Sequence, residues 1–204
     1  ELHPDIAVEP DFALDGEVTF QRWRGWEVMK FEVALLDAEV NPVLSALFAE
    51  NLKPDLEVFT ALHNHYLFDS PQIRFMHGFA IGNAAEMAAA LYRALSQNSG
   101  TPFGHGDEPP GDPGFDAERV TSIIGGDSEL TNGILHVTVE RRERFTERDV
   151  KLKRTMEVES MFNFQAIGSG SVATIDEFVL RKDEVDPVAR ELRKREFLVT
   201  ALHS

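Results

Sequence analysis

Apolar and polar positions alternate along residues 17–23 and 26–35, and both segments are rich in aromatic and β-branched residues. A period of two is typical of strands, because successive side chains of a strand point to opposite faces. Only two residues separate the segments, so we predict a hairpin. A second hairpin is predicted over 60–67 and 73–81, because the first segment is rich in β-forming and aromatic residues and the second is apolar again. Asp69, Ser70 and Pro71 between them favour a turn centred near Ser70.

A different period, with apolar residues three and four positions apart, predicts two helices. The first spans 37–51, with Asp37 or Asn41 as its cap and Pro42 in its first turn. The second runs from the capping-box sequence N-A-A-E, which begins at Asn83, to about residue 97. Its buried stripe is predicted to comprise Met87, Ala90, Leu91, Ala94 and Leu95.

Glycine and proline crowd residues 98–114, which predicts a linker without regular structure. After it, the pattern predicts a short helix and several strands. The predicted elements are a helix over 116–124, a strand over 133–141, a charged loop or hairpin arm over 141–154, and strands over 156–167 and 172–180.

Two motifs occur twice with similar spacing. A-E-V-N-P-V at 38–43 is echoed by D-E-V-D-P-V at 183–188, and F-T-A-L-H at 59–63 is echoed by V-T-A-L-H at 199–203. Matching motifs on both sides of a helix indicate duplication.

We therefore predict an α+β protein of two tandem similar units, each an antiparallel sheet covered by helices on one face. The predicted boundaries are an arm over 1–11, a first unit over 12–97, the linker over 98–114 and a second unit over 115–204. We expect the second unit to be incomplete in this chain, because the counterparts of the return strand and the closing helix are missing before Ser204, so that either the chain is a fragment or another segment completes the unit. The lack of an initiator Met fits a processed mature chain or an expression fragment.

Three histidines fall in the second predicted hairpin. Alternation places His63 and His65 on one face, and a turn centred near Ser70 places His77 opposite His63 and diagonal to His65. Neutral imidazole is a good ligand for zinc and copper, so the converging side chains predict a metal site. Half-buried polar histidines without a metal are the alternative, and a register shift of one residue would carry His77 to the other face.

The composition argues against several classes of function. The net charge of −15, from 35 acidic and 20 basic residues, argues against a nucleic-acid partner. No apolar run is long enough to form a transmembrane segment. The absence of cysteine excludes disulfides, thiolate zinc sites and thiol catalysis.

The same motifs carry a family resemblance. E-V-N-P-V, T-A-L-H-N-H, R-F-M-H-G-F-A and G-N-A-A-E-M-A-A-A-L resemble segments of the LppY/LpqO lipoprotein family, a domain of unknown function, over roughly residues 12–204. The resemblance implies an exported bacterial protein of the cell envelope or periplasm with a tandem repeat, and no established activity. The second copy departs from the family pattern, because T-A-L-H-S at 200–204 replaces a second T-A-L-H-N-H and with it a second histidine site.

Two functions follow as expectations. The first is a metalloenzyme that holds copper, or alternatively zinc, through His63, His65 and His77 and that, with copper, dismutates superoxide. Glu32 is a further candidate for a fourth or supporting position, because Glu177 recurs at the same offset, although Glu32 equally fits a surface strand residue. The second is a non-catalytic envelope module in which the histidines are structural and the repeat binds a cell-wall ligand or a partner, either an envelope protein or a second copy of the chain.

Overall fold

The structure is a computed structural model that describes residues 6–50, 55–65, 71–100 and 108–203, and only the backbone of 55–59. The described residues form strands and helices in mixed order. The strands are β1 (Glu17–Trp23), β2 (Trp26–Leu36), β3 (Asp55–His63), β4 (Ile73–Gly82), β5 (Asp127–Thr131), β6 (Ile134–Glu140), β7 (Thr146–Glu147), β8 (Val150–Lys151), β9 (Glu159–Gly168) and β10 (Ser171–Glu177). The helices are α1 (Asp37–Ala49), α2 (Ala84–Asn98), α3 (Ala117–Ile124) and α4 (Lys182–Lys194). This α+β architecture confirms the predicted fold class.

The described residues divide into two compact units, and the division does not follow the order of the repeats along the chain. One unit is formed by residues within 16–103 and 180–204, and the other by residues within 1–15 and 104–179. The unit built on the first repeat therefore includes α4 and the second T-A-L-H motif (200–203), which belong to the second repeat in sequence. The predicted boundaries are those of the sequence repeats, and they stay a prediction.

In the unit built on the first repeat, four antiparallel strands form a sheet in the order β1-β2-β4-β3. The first predicted hairpin is confirmed as β1 and β2, with Trp23 opposite Trp26. Its turn residues Arg24 and Gly25 have φ of 49° and 86°. Two left-handed residues in succession are typical of a type I′ turn, whose twist suits a two-residue hairpin.

Helices α1 and α2 pack on one face of this sheet. The core that they share with β2 and β4 consists of buried Met29, Phe31, Val33, Leu35, Val40, Val43, Leu47, Met76, Ala80, Met87, Leu91, Ala94 and Leu95. All five residues of the stripe predicted for α2 are buried. Asn83 caps α2 by accepting a hydrogen bond from the backbone N–H of Glu86, as the capping-box sequence predicts.

The helix α1 begins at Asp37, as predicted, but the predicted cap and the predicted position of Pro42 are wrong. The helix is capped at Leu36, not at Asp37 or Asn41, and the Leu36 N–H donates to the Glu39 carboxylate at 2.8 Å. An acidic residue at the third helical position can thus satisfy the helix start when the cap residue has no polar side chain. Pro42 lies six residues into the helix, past the first turn where it was expected.

The second hairpin is confirmed as antiparallel strands, but its register is shifted by two residues from the predicted one. His77 lies opposite Ala61 and His63 lies opposite Phe75, whereas the prediction paired His63 with His77. A two-residue shift preserves the face of every side chain, so His63 and His77 still lie on the same face. The strand β3 begins earlier than predicted and ends at His63, and most of the predicted turn lies outside the described residues.

The other unit contains a second antiparallel sheet, in the order β10-β9-β6-β5. The predicted helix over 116–124 is confirmed as α3, which Asp116 caps by accepting from the Arg119 N–H. The strand β5 was not predicted, because its sequence D-S-E-L-T is mostly polar and exposed. A short hairpin of β7 and β8 forms the predicted hairpin arm.

None of the described helices combines the length and the apolar composition that crossing a membrane requires.

Candidate metal centre

The predicted histidines lie on the sheet face that points away from α1 and α2. Val33 and Met76 are paired neighbours on the helix-covered face. The next pair along, Glu32 and His77, therefore points to the opposite face because side chains alternate along a strand. The register between β3 and β4 places His63 on that face as well.

His65 lies two residues beyond the end of β3, so strand alternation does not position it. It is buried, with 6% of its surface exposed, and its ring stacks on Phe75 at a centroid distance of 3.7 Å and an angle of 9°. The His65 ring also lies 4.8 Å from the His63 ring. Stacking on an aromatic side chain thus brings His65 to the same cluster.

Three donor atoms meet at the centre of the cluster. The Nε2 atom of His77 lies 2.7 Å from Nε2 of His63 and 2.8 Å from Oε2 of Glu32. A tetrahedral zinc site with bonds of about 2.0–2.1 Å separates neighbouring nitrogens by about 3.3 Å. A small opening of the two imidazoles would therefore admit an ion between them.

A proton on Nε2 of His77 cannot satisfy both contacts of that atom, with His63 and with Glu32. When His77 carries a proton on Nε2, that proton cannot form linear hydrogen bonds with both His63 and Glu32. When it does not, its lone pair faces the Glu32 carboxylate. Nδ1 of His63 is also buried without a hydrogen-bond partner among the described residues. A cation bound between Nε2 of His63, Nε2 of His77 and Oε2 of Glu32 would interact favourably with the lone pairs of all three atoms.

The electrostatic environment favours the protonation states in which Glu32, His63 and His65 can bind a metal. Burial raises the pKa of the Glu32 carboxyl, but the hydrogen bond with His77 and the nearby imidazoles outweigh burial and lower that pKa below its ordinary value. Burial lowers the pKa of His63 to about 3, with repulsion from protonated His203, His65 and His77 adding to the shift. Burial likewise lowers the pKa of His65 to about 4. Neutral imidazoles and an ionised carboxylate are the forms that bind metals.

The possible ligands form two groups of three, and His63 belongs to both. One group is His63, His77 and His203, and the other is Glu32, His63 and His65; in each, the donor atoms lie within 4.8 Å of one another. The structure thus brings His63 together with each of the other two predicted histidines, while His65 and His77 fall in different groups. A three-histidine cluster that can hold a metal ion is present.

His203 is the member of the cluster that the sequence prediction did not include. Its ring stacks on His63 at a centroid distance of 3.9 Å and an angle of 20°. The signal was present in the repeat, since His203 is the counterpart of His63 in the second T-A-L-H motif. A repeat shows equivalence along the sequence, however, and does not show which unit a segment joins in space.

The remaining histidine of the described β-strands, His136, lies in the other unit and has a different environment. Its Nδ1 lies 2.7 Å from Oδ1 of Asn163, and the Asn163 amide donates to the backbone carbonyl of Ile175 at 3.1 Å. Asn163 is fully buried. These contacts connect three adjacent strands and give His136 a structural role.

Comparison with known proteins supports the repeat. A family model with the description Domain of Unknown Function (DUF1259) matches residues 3–97 and 118–204. No curated protein and no solved structure matches the sequence. The two matches cover most of the chain and correspond to the two sequence repeats, so the chain belongs to the family described as Domain of Unknown Function (DUF1259).

Proposed function

We propose that this protein binds one transition-metal ion through the imidazoles of His63, His65 and His77, with the Glu32 carboxylate beside them. His63 belongs to both groups of possible ligands, and His65 and His77 would close on the ion from the two groups. The observation that supports this most directly is the position of His77 Nε2, which lies within 2.8 Å of two other lone-pair atoms. A cation at this point relieves the contact that a single proton cannot satisfy. The depressed pKa values of His63 and His65 favour ligation at neutral pH.

Copper is the metal that we propose, with zinc as the alternative, and the donor set fits both. Imidazole nitrogens suit both metals, and the chain has no cysteine to provide a thiolate. A carboxylate beside the imidazoles is compatible with either ion.

With copper, the site would support dismutation of superoxide. One superoxide would reduce Cu(II) to Cu(I) and leave as oxygen. A second superoxide would take that electron and two protons and leave as hydrogen peroxide, which restores Cu(II). The protein would contribute the ligands and an open coordination position. This redox activity goes one step further than metal binding and needs its own assay.

The setting we propose is the cell envelope or periplasm. The support for it is the resemblance of the four quoted motifs to the LppY/LpqO lipoprotein family, whose members are exported. An envelope protein or a second copy of the chain is the proposed partner.

Metal analysis of purified variants tests the proposal. We expect about one copper or zinc ion per chain after loading and desalting, and loss of that ion in His63→Ala and in His77→Ala. Leu62→Ala is the matched control, because Leu62 is adjacent to His63 but pairs with Met76 on the helix-covered side. It should retain the metal. Circular dichroism of each variant checks that the fold is kept.

A superoxide assay on the copper-loaded protein then tests the redox step, and activity should disappear with the metal in both histidine variants. Copper-loaded protein without such activity would leave metal binding intact and reject the enzyme. Wild-type protein that folds but binds neither metal would overturn the metal site and favour the non-catalytic envelope module.

A further inference from the structure

The segment that carries His203 is weakly anchored in the fold. Residues 197–203 form no helix or strand and are exposed. Leu202, next to His203, is 73% exposed. Within the part of the chain that the structure describes, residues 198–203 make no backbone hydrogen bonds that would hold them to the sheet. Leu198 and Val199 are 39% and 45% exposed, so their partial burial holds the start of the segment, but neither apolar burial nor backbone pairing holds its end at Leu202 and His203.

The ring of His203 makes the specific contacts of this segment. It stacks on His63 at 3.9 Å and lies 5.1 Å from the ring of His77. The possible ligand atoms of the three histidines lie within 4.8 Å of one another. Three imidazoles from β3, β4 and the second T-A-L-H motif thus surround one point.

The T-A-L-H motifs of the two repeats are held in place in different ways. In the first repeat, T-A-L-H lies at the end of β3, where pairing with β4 holds it. In the second repeat, the same four residues have no strand partner among the described residues, and their histidine lies against its own counterpart, His63. The contact lies inside one compact unit, because residues 180–204 and 16–103 cluster together.

We propose that His203 is a ligand of the metal ion and that the bound ion holds residues 198–203 against the sheet of the first repeat. This inference rests on the proposed metal-binding function. It adds that the second repeat completes the site of the first, and that occupancy of the site controls the order of this segment.

The physical reason is that the entropy cost of ordering the segment must be offset by the contacts that the segment makes. Fixing the segment costs conformational entropy, and one stacked pair of rings with the partial burial of Leu198 and Val199 offsets only part of that cost. A metal–imidazole bond is far stronger than a stacking contact and is formed only when the ion is present. Metal-free protein should therefore have a loosely held segment, and metal-loaded protein an ordered one.

Zinc is the probe for the test, because it is not redox-active. Zinc affinity is measured by competition with a chelator, and hydrogen exchange of the amides of residues 198–203 is followed with and without zinc. In wild-type protein, zinc should slow this exchange at least about tenfold. His203→Ala should weaken zinc binding by at least about tenfold, because losing even a residue that only supports a ligand typically costs about 10–100-fold, and it should abolish the protection.

Leu202→Ala is the matched control, since Leu202 lies in the same exposed segment and should leave zinc affinity and protection unchanged. Unaltered exchange in β2 and β4 verifies that His203→Ala is folded. Wild-type protein that binds zinc through His63 and His77, with equal affinity in His203→Ala and no protection of residues 198–203, would overturn this inference alone. Wild-type protein that binds neither zinc nor copper would overturn the proposed function, and this inference with it.

Discussion

At the scale of single residues, the cluster concentrates groups that resist protonation. His63 has His65, His77, His203 and Glu32 as its titratable neighbours. Burial and mutual repulsion lower the pKa values of His63, His65 and His203 and so disfavour a positive charge on them, and the Glu32 carboxylate only partly compensates. The folded protein therefore takes up protons at these positions less readily than the unfolded chain.

We predict that the metal-free protein loses stability as the pH falls from about 7 to about 4. The pKa of His63 is lowered to about 3 and that of His65 to about 4, from an ordinary value of 6.5. Between these values the unfolded chain binds protons that the folded protein does not, so the free energy of unfolding decreases with decreasing pH. The lowered pKa of Glu32 acts in the same direction below its ordinary value.

Denaturant unfolding in the presence of a chelator, at pH 7 and at pH 5, measures this effect. His63→Gln removes one of the groups responsible and should reduce the difference between the two pH values. An equal difference in wild type and variant would show that the cluster does not contribute.

At the scale of elements, local hydrogen bonds decide where the helices begin. Asn83 caps α2 with its side chain, while α1 relies on the Glu39 carboxylate. The cap of α2 has structural importance, because this helix covers the sheet with five buried side chains. The start of α2 is thus tied to the packing of the core.

Replacing Asn83 by Ala should reduce the free energy of unfolding by about 1 kcal/mol, the usual cost of losing a side-chain cap. The Asn83 Oδ1 atom accepts from the Glu86 N–H at 3.1 Å, and Ala leaves that donor without this partner. Denaturant unfolding measures the change. Asn83→Asp keeps an acceptor at the same place and should restore most of the stability; an equal loss in both variants would contradict a capping role.

At the scale of the whole molecule, the two sequence repeats and the two compact units are different divisions of the chain. Residues 180–204 belong to the second repeat and pack in the unit of the first. The histidine cluster therefore contains side chains from both repeats, with His203 coming from the second.

Metal binding should raise the stability of the folded protein through mass action. At a free zinc concentration one hundred times the Kd, the expected gain is about 2.7 kcal/mol. The midpoint of thermal or denaturant unfolding should rise in wild type and in Leu62→Ala but not in His77→Ala. An equal rise in His77→Ala would place the zinc elsewhere.

Much of the fold follows from the sequence, because the rules that form elements act over a few residues. Segments of β-forming residues separated by turn residues predict both hairpins of the first repeat, and the capping sequence at Asn83 and the apolar stripe predict α2. Alternation also places His63 and His77 on one face, and that conclusion holds despite a register error of two residues. The repeated motifs predict the duplication that the family matches support.

Other features were decided only by the tertiary structure. The pairing of Glu32 with His77 depends on how β2 and β4 align, which no local pattern determines. His65 reaches the cluster by stacking on Phe75 after its strand has ended. His203 reaches it because a segment of the second repeat packs with the first unit. The sequence by itself determined the elements and the faces of their side chains, because these depend on neighbouring residues. The complete donor set depends on contacts between residues far apart in the chain, and only packing brings those together.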